Sequence, residues 1–283
     1  MARLLVTGGS GFLGRHLVPA LRAQGHEVWS PLRRELDIVL GPWPETRFDH
    51  VVHLAALSSV VASWKDPSGF NRTNVLGTFN VLEYCRRQGA SLTYVSAYVY
   101  GIPASLPLSE SSPTTPSNPY ALSKLMAEEA CQFYATHFEL VGTVLRPFNI
   151  YGPGQDASFV IPRIIEQALD PARAAIEVMD LAPRRDYVFV DDVVEAVRLT
   201  LDPPGFAIYN VGGGRSYSVE EVIGIVLAAT GCQKAYRSTG ERRQNEVLDV
   251  VADCAALNRA CGWRPSVSFE EGIRRTVEEG RKR

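Results

Sequence analysis

Cysteine is scarce and scattered: the 283 residues hold five, at Cys85, Cys131, Cys232, Cys254 and Cys261, with no Cys-x-x-Cys pair and no paired histidine. An odd, dispersed set excludes a disulfide scaffold and a zinc site; it reads as reduced thiols in a cytoplasmic protein without a bound metal. Long hydrophobic runs are missing too. None approaches the roughly 20 residues that a bilayer-spanning helix needs, so no membrane segment is expected. A first apolar run starts at Arg3, which leaves no room for a signal peptide. Nor is there an excess of one charge. With 29 basic and 31 acidic residues the formal net charge is −2, which offers nucleic acid no electrostatic footprint. What is present, 46% hydrophobic and 21% charged residues, is an ordinary globular composition, enough for one large α/β domain or two unequal ones.

Short apolar runs alternate with helical patterns over the first half of the chain. Arg3–Val6, Gly25–Trp29, Asp49–Ala55, Leu92–Ser96 and Leu140–Leu145 read as strands. Helices are expected after Gly14, around Asn74–Leu82, and from Pro119 towards His137. The alternation predicts a Rossmann-type α/β fold, a doubly wound parallel sheet. Beyond about residue 150 the elements shorten, with Tyr187–Val190 as a strand and Ser218-Val219-Glu220-Glu221 and Ser268-Phe269-Glu270-Glu271 as capping boxes. The expected division is a dinucleotide-binding domain over 1–150 and a smaller, partly interleaved C-terminal substrate-binding lobe over 151–283, with 185–211 returning to the first domain.

Thr7-Gly8-Gly9-Ser10-Gly11-Phe12-Leu13-Gly14 lies between the first strand and the first helix. Glycines there let the backbone approach a pyrophosphate, and the helix start offers free N–H groups and a positive dipole end. Gly8, Gly11, Phe12, Leu13 and Gly14 are therefore cofactor-binding candidates. Tyr120 and Lys124 stand four apart on the predicted long helix, so hydroxyl and ammonium share a face. A neighbouring cation favours phenolate and lowers the tyrosine pKa, which suits a catalytic base. Ser96, at a strand end, can hydrogen-bond a substrate oxygen and steady charge developing there.

In combination these residues resemble the nucleotide-sugar epimerase/dehydratase family of the extended short-chain dehydrogenases: the Gly-x-x-Gly-x-x-Gly spacing, Ser96 in Ser-x-x-Val-Tyr-Gly, and the Tyr120/Lys124 pair. Further segments carry the likeness across nearly the whole chain: His53-Leu54-Ala55-Ala56, Asn74 with Gly77-Thr78, Arg146-Pro147-Phe148-Asn149-Ile150-Tyr151-Gly152-Pro153, and Arg185-Asp186-Tyr187. The resemblance implies that Ser96, Tyr120 and Lys124 are catalytic. It places Leu54, Ala55, Ala56, Asn74 and Pro147 beside the cofactor. Ser58, Ser96, Asn149, Arg185, Arg243 and Glu246 are implied as contacts to a nucleotide-diphosphate sugar, the two arginines on its phosphates. It also implies a homodimer whose four-helix bundle uses Asn74–Tyr84 and Tyr120–Tyr134.

An acid at the end of the second strand is the usual partner of the NAD ribose. This chain has Trp29-Ser30-Pro31-Leu32-Arg33-Arg34 there. Ser30, Arg33 and Arg34 favour a 2′-phosphate and hence NADP(H), while Glu35 keeps NAD(H) open. Asp37-Ile38 resembles the family's pair beside adenine. The implied chemistry is hydride transfer at the sugar C4, with a 4-epimerase first and an NADPH-dependent 4-ketoreductase, like GDP-4-keto-6-deoxymannose reductases, second. Dehydratases of the family carry Thr-Asp-Glu where this chain has Ser96-Ala97-Tyr98, so elimination lacks its acid pair. A non-catalytic dinucleotide sensor is the remaining alternative.

Overall fold

In the computed structural model, which describes residues 1–241 and 246–282, the strand Arg3–Thr7 (β1) buries Leu4, Leu5 and Val6 together. Such a run, without alternation, fits a strand covered on both faces. The strands Glu27–Trp29 (β2), His50–His53 (β3), Ser91–Val95 (β4) and Gly142–Pro147 (β5) join it. Asn149–Tyr151 (β6), Ala175–Val178 (β7), Arg184–Phe189 (β8), Phe206–Val211 (β9), Ser216–Ser218 (β10) and Ala235–Ser238 (β11) follow. The central sheet has six strands in the order β2-β1-β3-β4-β5-β9, every neighbour parallel. Because β2 and β3 flank β1 on opposite sides, the winding reverses there and a crevice opens at the carboxyl ends of β1 and β3. The sheet is thus the doubly wound α/β architecture that the alternation of elements implies.

The helices cover both faces. On one side Phe12–Ala23 (α1) packs Leu13, Leu17, Val18 and Leu21 into a core shared with a helix at Val190–Leu199. Val60–Lys65 (α2) and Pro67–Asn71 (α3) lead to the other side, where Gly77–Gln88 (α4) and Pro119–Phe138 (α5) bury Val81, Leu82, Cys85, Ala127, Cys131 and Tyr134. The helix foreseen around Asn74–Leu82 is interrupted: Arg72–Leu76 forms a π-helical turn before α4, with Asn74 buried in it.

The second half builds a smaller layer. β8 lies parallel to β6 and antiparallel to β10, and β7 pairs in parallel with β11. Helices Val160–Leu169 (α6), Val219–Thr230 (α8), Ala255–Cys261 (α9) and Phe269–Gly280 (α10) belong to the second half, while Val190–Leu199 (α7), packed on α1, leads into β9, which returns to the central sheet beside β5. At Ser218 the capping box is complete: its hydroxyl accepts from Glu221 N at 3.1 Å and its own N–H donates to the Glu221 carboxylate at 2.7 Å. At Ser268 only half forms. The hydroxyl accepts from Glu271 N, but Arg274 and Arg275 draw the Glu271 carboxylate away, each at 2.7 Å. Among the described residues no helix is long and apolar enough to cross a membrane.

Candidate functional site

Backbone crowding at the crevice explains its glycines. Gly8 has φ 72°, and a Cβ there would lie 2.6 Å from Ala55 N. One on Gly14 would lie 2.4 Å from Gly9 Cα. The turn is closed by Gly11 N donating to Gly8 O at 3.0 Å, and α1 starts on Gly11 without a side-chain cap. The N–H groups of Phe12, Leu13 and Gly14 are then open to an anion. A cradle of bare backbone ending in an uncapped helix fits a dinucleotide pyrophosphate.

The facing strand end is tied to this loop. Leu54 N donates to Thr7 O at 3.1 Å and Ala55 N to Thr7 Oγ1 at 3.3 Å. His53 bridges Thr7 Oγ1 and Thr78 Oγ1; burial, reinforced by the Lys124 charge, pulls its pKa down to about 3, so it stays a neutral strut. Asn74 holds the next stretch, accepting from Leu57 N at 2.8 Å and donating to Leu57 O and Ser123 Oγ. Its amide is fully used. Asn74 therefore shapes the cofactor crevice from behind, by clamping the 54–57 segment to α5.

At the far end, beyond β2, Ser30 turns its hydroxyl back onto Gly9, where a Cβ would sit 1.9 Å from Oγ. Glu35, the acid that kept a ribose contact open, accepts from Leu32 N at 2.7 Å. Asp37 accepts from Val39 N, Leu40 N and Arg33 Nε, and the backbone N–H of Val39 holds its carboxyl below the usual range. Ile38 is buried against Gly77. Arg33 is 80% exposed on its side chain, and Arg34 has no partner among the described residues. Among the described residues of this loop, Arg33 and Arg34 are exposed and both carboxylates, Glu35 and Asp37, are engaged.

The groups expected to react come from one helix and one strand end. Asn118 caps α5, accepting from Ala121 N at 2.9 Å, and Pro119 fixes its first turn. Tyr120 is half-buried edge-on to Phe70, and burial pushes its phenol up to about 12. Lys124, one turn on, donates from Nζ to Val95 O at 2.7 Å and sits 4.3 Å from the Tyr94 ring. Burial pulls its amine down to about 7, against the opposing pull of Glu128. Ser96, 4% exposed, follows directly after Val95, and its hydroxyl donates to Glu128 Oε1. Glu128 Oε2 in turn accepts from Arg146 Nε at 2.9 Å and Nη2 at 2.6 Å. Pro147, next to Arg146, is buried at the end of β5. Glu128 was not singled out from the sequence, although it completes the stripe Tyr120, Lys124, Glu128 at helical spacing.

On the other side of the crevice, Arg185 donates to Glu246 and to Val247 O, so these two expected substrate contacts are brought together across 61 residues of chain. They line a cavity of about 140 Å³ with Arg163, Val178, Pro183 and Tyr187. Asn149 donates to Asp186 O at 3.0 Å at the base of β8. Asp186, quoted in the Arg-Asp-Tyr segment without a role, is fully buried and accepts from Gly213 N, Gly214 N and Ala252 N, fixing the loops behind Arg185. Tyr98, two residues after Ser96, packs edge-on to Tyr100 and Phe148, its phenol raised by burial with Arg185 opposing. Ser58 lies exposed beyond β3, and Arg243 lies outside the described residues. Among the described residues no group of three or more His, Cys, Asp or Glu side chains is placed to hold a metal.

Compared with known proteins, residues 4–212 match the NAD dependent epimerase/dehydratase family. The chain belongs to that family. It is 34% identical to the GDP-6-deoxy-D-mannose reductase of Pseudomonas aeruginosa over 301 residues, covering 99% of this chain and 98% of that one. Among solved structures it is similar to RMD from Pseudomonas aeruginosa complexed with NADPH, with a TM-score of 0.89, 32% identity and coverage of 99% and 98%. It is similar also to the NAD complex of the Thermus thermophilus UDP-glucose 4-epimerase, with a TM-score of 0.85, 34% identity and 99% coverage of both chains. As a family member the protein is an enzyme of the nucleotide-sugar epimerase, reductase and dehydratase group, working with a nicotinamide dinucleotide.

Proposed function

We propose that the protein is an NADPH-dependent nucleotide-sugar 4-ketoreductase that works as a homodimer. The observation that carries this is the end of the crevice beyond β2. Ser30 is turned onto Gly9, Glu35 and Asp37 are committed to backbone N–H groups, and Arg33 and Arg34 stand at the surface. Among the described residues no carboxylate at this end stands without a partner to take a ribose 2′-hydroxyl, while two exposed guanidinium groups, that of Arg33 paired with Asp37, suit a 2′-phosphate. NADP(H) then serves a cofactor that enters reduced and leaves oxidised. The likeness to a GDP-6-deoxy-D-mannose reductase supports the same direction. A 4-epimerase is the second reading, favoured by equal identity to a UDP-glucose 4-epimerase that binds NAD.

When bound, the dihydronicotinamide ring supplies the hydride. Tyr120, held as a phenol by a pKa near 12, donates its proton to the oxygen formed at C4. Lys124, one turn away, supplies positive charge when its amine is protonated, which favours the phenolate left behind. Ser96 meets the same oxygen from the end of β4. Arg185 and Glu246 line the cavity that receives the nucleotide end. Ala97 and Tyr98 stand where the family's dehydratases carry Asp and Glu, so elimination of water lacks the carboxyl pair that would move its protons.

The test is turnover. Purified protein should oxidise NADPH with GDP-4-keto-6-deoxymannose and should not interconvert UDP-glucose and UDP-galactose without added cofactor. Tyr120→Phe should lower kcat by at least about 100-fold, the usual scale for losing a general acid, with NADPH affinity kept. Interconversion of the UDP-sugars by protein that retains tightly held NAD would establish the epimerase instead.

A further inference from the structure

A serine hydroxyl has one proton to give and two lone pairs. In this protein the Ser96 proton is already assigned, because Oγ donates to Glu128 Oε1. Glu128 is 2% exposed and is not free to turn away. Its other oxygen is gripped by two donors of Arg146, whose Nη1 reaches Tyr100 OH at 3.0 Å; Tyr100 OH in turn donates to Asn210 Oδ1 at 2.5 Å. Every bond in the chain Ser96–Glu128–Arg146–Tyr100–Asn210 thus has a fixed donor: Ser96 and Arg146 both give to Glu128, Arg146 gives to Tyr100, and Tyr100 to Asn210. All five residues are buried.

We infer that Glu128 is a positioning residue that sets the polarity of Ser96, so that Ser96 meets the sugar as a hydrogen-bond acceptor and the site favours the alcohol over the ketone form of the substrate. The inference rests on the reading of Ser96 as a substrate contact. A C4 hydroxyl donates to the Ser96 lone pairs while the Ser96 proton stays on Glu128. A C4 ketone has no proton to give, so Ser96 must withdraw its own from Glu128 and leave that buried oxygen without its donor. No covalent bond changes; one hydroxyl hydrogen changes its acceptor.

Glu128→Gln reverses this bond. Arg146 requires an acceptor, which places the glutamine oxygen towards it and turns the amide N–H towards Ser96. Ser96 then accepts from Gln and directs its proton into the site. Binding without turnover reads the outcome: GDP-6-deoxymannose is titrated with NADPH present, and GDP-4-keto-6-deoxymannose with NADP+ present. Glu128→Gln should weaken the alcohol by about 10-fold or more, the worth of one such hydrogen bond, while leaving the ketone as tight or tighter. Equal weakening of both overturns the inference, since that is what a structural loss alone does. Ser96→Ala supplies the second measurement, and in that background Glu128→Gln should no longer discriminate between the two probes. Its thermal unfolding, read with the Glu128→Gln and double variants, should also show non-additive Tm shifts of a few degrees. Strict additivity overturns the Ser96–Glu128 link whatever the substrate. Wild-type protein that binds neither probe, yet binds NADPH, overturns the reading of the substrate and with it the alcohol preference.

Discussion

Lys124 is the residue at which stability and chemistry pull apart. It is 3% exposed, and its amine is satisfied by one carbonyl and one aromatic face. Burial lowers its folded pKa to about 7, against an unfolded value of about 10.4, with Glu128 only partly offsetting the loss of hydration. Between those values the unfolded chain binds the proton and the folded protein does not, so stability rises with pH across that window. Below about 7 both states are protonated and the benefit is gone. Lys124→Met removes the titration. The wild-type minus variant difference in unfolding free energy of cofactor-free protein should therefore become more favourable by ~2–4 kcal/mol as pH is raised from 7 to 10. The unpaired Val95 carbonyl left by methionine adds a constant offset, so the slope is what decides. Parallel curves from urea denaturation at several pH values would mean that the buried amine is charged throughout.

At the scale of elements, the β1–α1 turn and α8 make opposite predictions about glycine. A Cβ on Gly14 would strike the backbone of Gly8 and Gly9, and backbone cannot swing aside as a flexible side chain can. Gly14→Ala should cost ~1–3 kcal/mol in stability and weaken NADPH binding by about 10–100-fold in a fluorescence titration. Gly224, inside α8 and exposed, has nothing within 4 Å of such a Cβ. Gly224→Ala should instead stabilise by ~0.5–1 kcal/mol and leave NADPH affinity unchanged. The β1–α1 turn was readable in the sequence because its chemistry is local: three glycines at fixed spacing between an apolar run and a helical pattern. Tyr120 and Lys124 were readable for the same reason, since helical spacing alone puts them on one face. Glu128 continues that face, but its bond to Ser96 depends on how α5 lies across β4 and β5. Arg146 read as a strand end because its partner is on another element. Glu35 kept a ribose contact open in the sequence and Asp37 resembled the pair beside adenine; the structure adds that both carboxylates accept from backbone N–H groups within their own loop, a local contact that acidic side chains make readily and that no spacing reveals. The π-helical turn at Arg72–Leu76 has no spacing signal that distinguishes it from α-helix.

For the whole molecule, the two layers are tied at the mouth of the crevice. Arg15 donates to Gly154 O and His16 pairs with Pro153 O, both at 2.9 Å, so the cofactor helix α1 grips the loop that follows β6. On the opposite side of the central sheet the surface is unfinished. Leu76 at the end of the π-helical turn, Phe79 at the start of α4, and Leu122, Met126 and Phe133 along α5 are each at least 40% exposed. On α5 they recur at i, i+4 and i+11, the stripe opposite Lys124, Glu128 and Cys131, and the contact of Phe79 with Tyr134 joins the two helices into one patch. An apolar helix pair of this kind, rimmed by Glu83, Arg86 and Arg87, is the surface that the proposed homodimer would bury against a second copy of itself about a two-fold axis. Wild-type protein at micromolar concentration should therefore sediment as a dimer. Leu122→Asp with Phe133→Asp places charge in the middle of the seam and should yield monomer, while the buried face of α5, and with it NADPH binding, is retained. Wild type that sediments as monomer at that concentration would show that the stripe serves another purpose. A double variant that stays dimeric would move the interface off α5.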